Sequence, residues 1–127
     1  MQKLIIKRSE WLRGEGSGPG SFLFRSSDAK RCCLGFLGNQ VCGLTDDEMA
    51  GNAMPSCLPR ASWLPQMLKR EERRNGDGHL LYDAIIDAPI TTSLAHINDS
   101  QMVSEEKREK EVSQLMRELD VEVEFVD

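Results

Sequence analysis

No apolar run in this sequence approaches the roughly 20 residues needed to cross a bilayer, so no membrane-spanning role is expected. The opening Met1-Gln2-Lys3-Leu4-Ile5-Ile6-Lys7 is too short, and too soon interrupted by charge, for a signal peptide; a cytoplasmic location is expected. Basic excess is missing as well. Sixteen Lys and Arg stand against 21 Asp and Glu, a net charge of −5. A sequence-independent grip on nucleic acid needs a basic surface to displace phosphate counterions, so direct nucleic-acid binding is not expected.

The motifs of common chemistries are absent too. Cys32, Cys33, Cys42 and Cys57 lack the paired Cys-x₂₋₄-Cys clusters of a zinc site, and the only histidines, His79 and His96, show no ligand spacing. No metal or cofactor is therefore expected. The cysteines read as free thiols, and for Cys32 and Cys33 core packing outweighs nucleophilic catalysis, although Lys30 and Arg31 lie beside them. No Gly-x-Ser-x-Gly elbow is present. Around Asp83, Asp87, Asn98 and Asp99 the spacing of a calcium loop is missing, so Asn98-Asp99 reads as a polar turn. No internal repeat appears. A catalytic constellation is not found, and the chain is read as a non-enzyme.

What the sequence contains is one domain's length, 127 residues, with 39% apolar and 29% charged side chains. Residues 1–127 are read as a single domain with a flexible glycine-rich loop at 14–20. Leu4-Ile5-Ile6 predicts a strand, Ser9 caps a helical turn through Arg13, and Ser21-Phe22-Leu23-Phe24-Arg25 predicts a second strand antiparallel to the first. A helix is predicted from the Ser26–Asp28 caps to Cys42, with Cys33, Leu37 and Val41 on its apolar stripe. Its Gly35 and Gly38 imply a close neighbour. Thr45 and Glu48 match a capping box.

Between 52 and 65 three prolines allow only a short helix starting at Pro65. Residues Lys69–Arg74 are charged on every face, Asn75-Gly76-Asp77-Gly78 is a turn, and Leu80–Ile86 fits helical spacing through Leu81, Tyr82, Ile85 and Ile86. Thr92 or Ser93 can cap a helix that carries Leu94 and Ile97, with His96 partly buried on it. Ser104 caps the last helix, whose stripe is Val112, Leu115, Met116 and Leu119. Val121-Glu122-Val123-Glu124-Phe125-Val126 then alternates as a half-exposed strand. The expected class is α+β: a small antiparallel or mixed sheet, built from the N-terminal strands and the C-terminal strand, packed against several short helices.

Charge is divided along the chain. Residues 1–60 carry a net of +2 and the remainder −7; residues 101–127 alone hold nine acids against four bases. An acidic face steers a protein toward a basic partner, and tryptophan and arginine are frequent interface anchors. Trp11, Arg13, Glu122 and Glu124 are therefore the candidate partner-binding residues, with Trp63 open between core and interface. Arg13 and Arg25 flank the glycine-rich loop and are candidates for contact with an anion. That loop lacks the lysine and following helix of a phosphate cradle.

Three segments carry a resemblance: Trp11-Leu12-Arg13-Gly14-Glu15-Gly16, Cys32-Cys33-Leu34-Gly35-Phe36 and Val121-Glu122-Val123-Glu124-Phe125-Val126. Together they resemble a family of small proteins encoded in bacteriophages and prophages of Gram-negative bacteria, most closely at the two ends and least between residues 52 and 92. No activity or catalytic residue follows from that resemblance. It implies an accessory protein, in the cytoplasm of a bacterial host, that binds and inhibits a host protein of an antiviral defence system in the manner of an anti-CRISPR. The alternative is a small-molecule sponge that sequesters a nucleotide immune signal. A homo-oligomer is left open.

Overall fold

The computed structural model describes residues 1–16 and 21–127. The first strand, β1 (Gln2–Lys7), buries Leu4 and Ile6 and leaves Ile5 in solvent, the alternation a half-covered strand requires. A 3₁₀ turn at Arg8–Glu10 follows, with Lys7 rather than Ser9 in the cap position and no side-chain cap. No second strand forms at 21–25, where isolated bridges join Phe24 to Ala50 and Arg25 to Lys30. The Arg25–Lys30 bridge closes a turn in which Ala29 takes φ 57°. That turn occupies the residues expected to open the first helix. Helix α1 therefore spans only Cys33–Gln40.

The expected glycine contacts on α1 are present. A Cβ on Gly35 would collide with the carbonyl of Leu23, and one on Gly38 would come within 2.9 Å of Met49 Sδ and 3.0 Å of the Trp63 ring. Helix α2 (Asp46–Met49) opens on the complete Thr45–Glu48 capping box. Three 3₁₀ turns, at Pro55–Cys57, Arg60–Ser62 and Pro65–Met67, carry the chain through the proline-rich middle, so the helix expected at Pro65 is a single turn.

The next two elements differ from expectation. Leu68–Arg74 is a strand, β2, and Leu80–Asp87 is its antiparallel partner, β3, not a helix. Asn75 and Gly78 close the hairpin, Asn75 Oδ1 accepting the backbone N–H of both Asp77 and His79. Helix α3 (Pro89–Asp99) begins with proline in its first turn after Ala88, earlier than Thr92. Helix α4 (Glu105–Glu118) is capped by Ser104, whose hydroxyl accepts from the Lys107 N–H at 3.2 Å. Asp120, at φ 62°, turns the chain into β4 (Val121–Val126).

The α+β class holds, with the strands arranged otherwise than expected. The two chain ends pair in parallel, β1 beside β4 with Leu4 opposite Val123 and Ile6 opposite Phe125. The antiparallel pair is the β2–β3 hairpin, a separate two-stranded sheet. Gln40 covers the free edge of β1: its side-chain amide donates to Ile5 O at 2.6 Å and accepts from Ile5 N at 2.9 Å. The inner face of the β1–β4 pair meets α1 and α4 around Leu34, Leu37, Leu94, Val112 and Met116, all fully buried. None of the helices among the described residues is long and apolar enough to cross a membrane.

Candidate functional site

The segments that begin at Trp11, Cys32 and Val121 meet inside the fold. Trp11 is 3% exposed, its ring centroid lies 5.4 Å from that of Phe125, and its Nε1–H donates to Asn98 Oδ1 at 2.7 Å. The same oxygen accepts the backbone N–H of Cys33, while Asn98 Nδ2 donates to Leu12 O at 3.0 Å. Asn98 is thus a fully buried junction of α3 with two of the three segments, those at Trp11 and Cys32, not a polar surface turn.

Arg108, 2% exposed, completes the junction from α4. Its Nη1 donates to Ile97 O and Asn98 O at 2.7 and 2.8 Å. With Gly14 N–H on Asn98 O, Gly16 N–H on Asp99 O and Ser100 N–H on His96 O, all four terminal carbonyls of α3 are satisfied. Gly14 and Gly16 adopt φ 69° and 73° to make these bonds, so the first part of the expected flexible segment is docked on α3. Residues 17–20 lie outside the described residues.

The candidate partner-binding residues are not gathered on one surface. Trp11 belongs to the core, and Trp63, 6% exposed, does too. The Arg13 guanidinium lies 4.6 Å from the Trp11 ring and donates through Nε to Glu105 at 2.6 Å. Glu122 and Glu124 point outward from β4, on the opposite face from Phe125 and hence from Trp11. Glu124 is held by Lys3 at 2.7 Å. Basic residues from the start of the chain neutralise much of the acidic end: Arg8 also grips Glu109 through two nitrogens and reaches Asp127 at 2.9 Å.

Both arginines proposed for an anion are engaged by carboxylates. Arg25 forms a two-pronged pair with Asp28 at 2.6 and 3.1 Å, which raises the arginine's pKa and lowers that of Asp28, and it lies 3.9 Å from Glu15. Arg13 pairs with Glu105. An anion would have to displace these partners.

The thiols of Cys32 and Cys33 lie in the core, as core packing requires. Burial pushes the Cys32 thiol up to about 12 and raises that of Cys33, so neither presents a thiolate near neutral pH. Among the described residues no three His, Cys, Asp or Glu side chains gather into a metal-binding group.

The concavity best suited to a partner lies elsewhere. A cleft of about 800 Å³ opens between the base of the hairpin, α3 and α4. Its apolar surface comes from Ile86, Pro89, Ile97 and Leu115, and its rim carries the carboxylates of Asp87, Glu111 and Glu118 against the single ammonium of Lys69. Asp87 is fixed in place by the N–H and hydroxyl of Ser56 at 2.9 and 2.7 Å. His96 is exposed at the cleft wall, not partly buried. The volume falls within the roughly 300–1,000 Å³ of ordinary ligand sites. An apolar floor under a carboxylate rim favours a ligand that is apolar on one side and cationic on the other.

Of the rim carboxylates only Asp87 was weighed from sequence, and then for a cation; Glu111 and Glu118 were not candidates. A signal existed on α4, where Glu111, Leu115 and Glu118 fall at i, i+4 and i+7 beside the buried stripe. The second wall was hidden, because β3 satisfied a helical pattern. No protein-family model, no curated protein and no solved structure matches this chain.

Proposed function

We propose that this chain is a phage-encoded binding protein that blocks a host protein of an antiviral defence system, holding a basic amphipathic segment of that protein in the cleft between the hairpin, α3 and α4. The observation that carries the binding mode is the cleft itself, apolar between Ile86 and Leu115 and acidic at Asp87, Glu111 and Glu118. Helical segments with one apolar and one charged face are recognised in such grooves through buried anchors, while the rim charges set association rate and partner choice. The phage context and the defence target come from the resemblance of the Trp11, Cys32 and Val121 segments. The buried state of Cys32 and Cys33 favours binding over thiol catalysis.

Affinity capture from a bacterial lysate, at low and moderate salt, tests the reading when the wild type is run beside a Glu111→Lys, Glu118→Lys variant. The expected result is a defence protein retained by the wild type, weakened by salt, lost with the charge-reversed variant and inhibited in its own assay by the wild type. Retention that ignores both salt and charge reversal, or a retained protein whose activity is unaffected, contradicts it.

A further inference from the structure

We propose that β3 is a self-association edge, along which two copies of this chain pair antiparallel about a two-fold axis at Ala84 and join their hairpins into one four-stranded sheet. The pairing does not rest on what fills the cleft, although Ile86 belongs to both surfaces.

Among the described residues the hairpin bonds to no other strand, so neither of its edges is paired. An isolated two-stranded ribbon is marginal in water, whereas wider sheets hold. The two edges differ in chemistry. Residues 69–74 of β2 are charged without a break, the composition that keeps an open edge from pairing. On β3, Leu80, Leu81, Tyr82 and Ile85 are 49%, 67%, 42% and 38% exposed, four of the seven large apolar side chains exposed among the described residues. Apolar exposure is therefore concentrated on the edge that charge does not protect.

Charge also selects the occupant and the register. Asp83 is held by Arg70 of its own hairpin through two bonds of 2.8 Å, so its charge is already answered before a second strand arrives. A two-fold axis perpendicular to the sheet keeps each face in register with itself, so the axis must pass through a residue position. Placing it at Asp83 or Ile85 opposes Asp83 with an aspartate of the copy, a destabilising pairing. Placing it at Tyr82 draws the turn, and the irregularity between Arg73 and Arg74, into the ladder. At Ala84 the smallest side chain of the strand faces its own copy. Tyr82 then faces the copy's Ile86, and Asp83 the copy's Ile85. In this register no two like charges oppose each other across the two-fold interface.

Sedimentation velocity of the full chain, with circular dichroism as the folding control, tests the pairing. The wild type is expected to sediment as a dimer at high micromolar concentration, and Ala84→Arg, which sets two like charges across the axis, to show half that mass with an unchanged spectrum. A positive test is independent of any loss of folding. Opposed residues in an antiparallel pair have Cα atoms roughly 4.5–5.5 Å apart, within disulfide reach. Ala84→Cys in a Cys57→Ser background is expected to give a reducible covalent dimer on oxidation that Cys57→Ser alone does not. A monomeric wild type, a dimer that survives Ala84→Arg, or an Ala84→Cys chain that does not cross-link overturns the proposal.

Discussion

The indole N–H of Trp11 donates to Oδ1 of Asn98 at 2.7 Å, across 87 residues of sequence and inside the core. The same side chain also holds Cys33 N–H and Leu12 O, so one amide fastens α3 to the N-terminal segment and to α1. Asn98→Ala leaves those buried groups without partners, at about 1–3 kcal/mol for each group that water cannot reach. A loss of about 3–5 kcal/mol in urea denaturation, followed by tryptophan fluorescence, is expected. A loss under about 1 kcal/mol would mean that Asn98 is not the junction described.

Gly35 and Gly38 separate two kinds of close packing. At Gly35 the obstacle is backbone, the Leu23 carbonyl, which cannot rotate away; at Gly38 it is the end of the Met49 side chain and the rim of Trp63. Gly38→Ala is expected to cost about 1–3 kcal/mol as the methionine shifts, and Gly35→Ala more than about 3 kcal/mol. Thermal denaturation of the two variants checks the order, and the reverse order contradicts the packing.

The hairpin has a pH dependence of defined sign. Arg70 holds the Asp83 carboxyl below its ordinary value of 3.8. A carboxyl with a lowered folded-state pKa stabilises above its unfolded value and loses that contribution as pH falls through the folded value. Protection of the β2 and β3 amides, taken relative to their intrinsic exchange rate at each pH, is therefore expected to stay constant from neutral pH down to about 4 and to fall below it. Asp83→Asn is expected to show lower protection already at neutral pH, with no step in protection on acidification. An acid step of equal size in Asp83→Asn would assign the effect to another group.

The four thiols divide by burial. Cys57 is exposed and Cys42 half-buried, whereas Cys32 and Cys33 are enclosed and their thiols held protonated. A thiol reagent at neutral pH is expected to label Cys57 first, Cys42 more slowly, and the adjacent pair only on unfolding. Prompt labelling of Cys32 or Cys33 in the folded protein would reopen a thiol chemistry.

Elements with a local cause were legible in the sequence. The Thr45–Glu48 box, the Ser104 cap and the alternation of Val121–Val126 each depend on neighbours a few residues away, and each stands where it was expected. β3 was misread because Leu81, Tyr82, Ile85 and Ile86 satisfy helical spacing while the strand sits in an exposed ribbon, without the inside-outside alternation that marks a covered sheet. The parallel pairing of the chain ends joins residues more than a hundred positions apart, which no local pattern encodes. Arg108 left a trace, since Arg108, Val112 and Met116 share the i, i+4, i+8 row that is buried in α4. Only the free carbonyls of α3, invisible in sequence, explain why an arginine stands in that row. For the site, composition signalled an acidic end, but Lys3, Arg8 and Arg13 answer much of it. The rim of the cleft emerged only once the hairpin and the two helices stood together.

Binding in the cleft can be tested without knowing the partner. A designed helical peptide with lysines on one face and leucines on the other, titrated into the isotope-labelled chain, reports its site through amide chemical-shift changes. Changes are expected to centre on Ile86, His96, Gln114 and Leu115, to shrink with salt and to be abolished by Glu111→Lys with Glu118→Lys. Shifts confined to the outer face of β4 at Glu122 and Glu124, or shifts that persist in the charge-reversed variant, would contradict it.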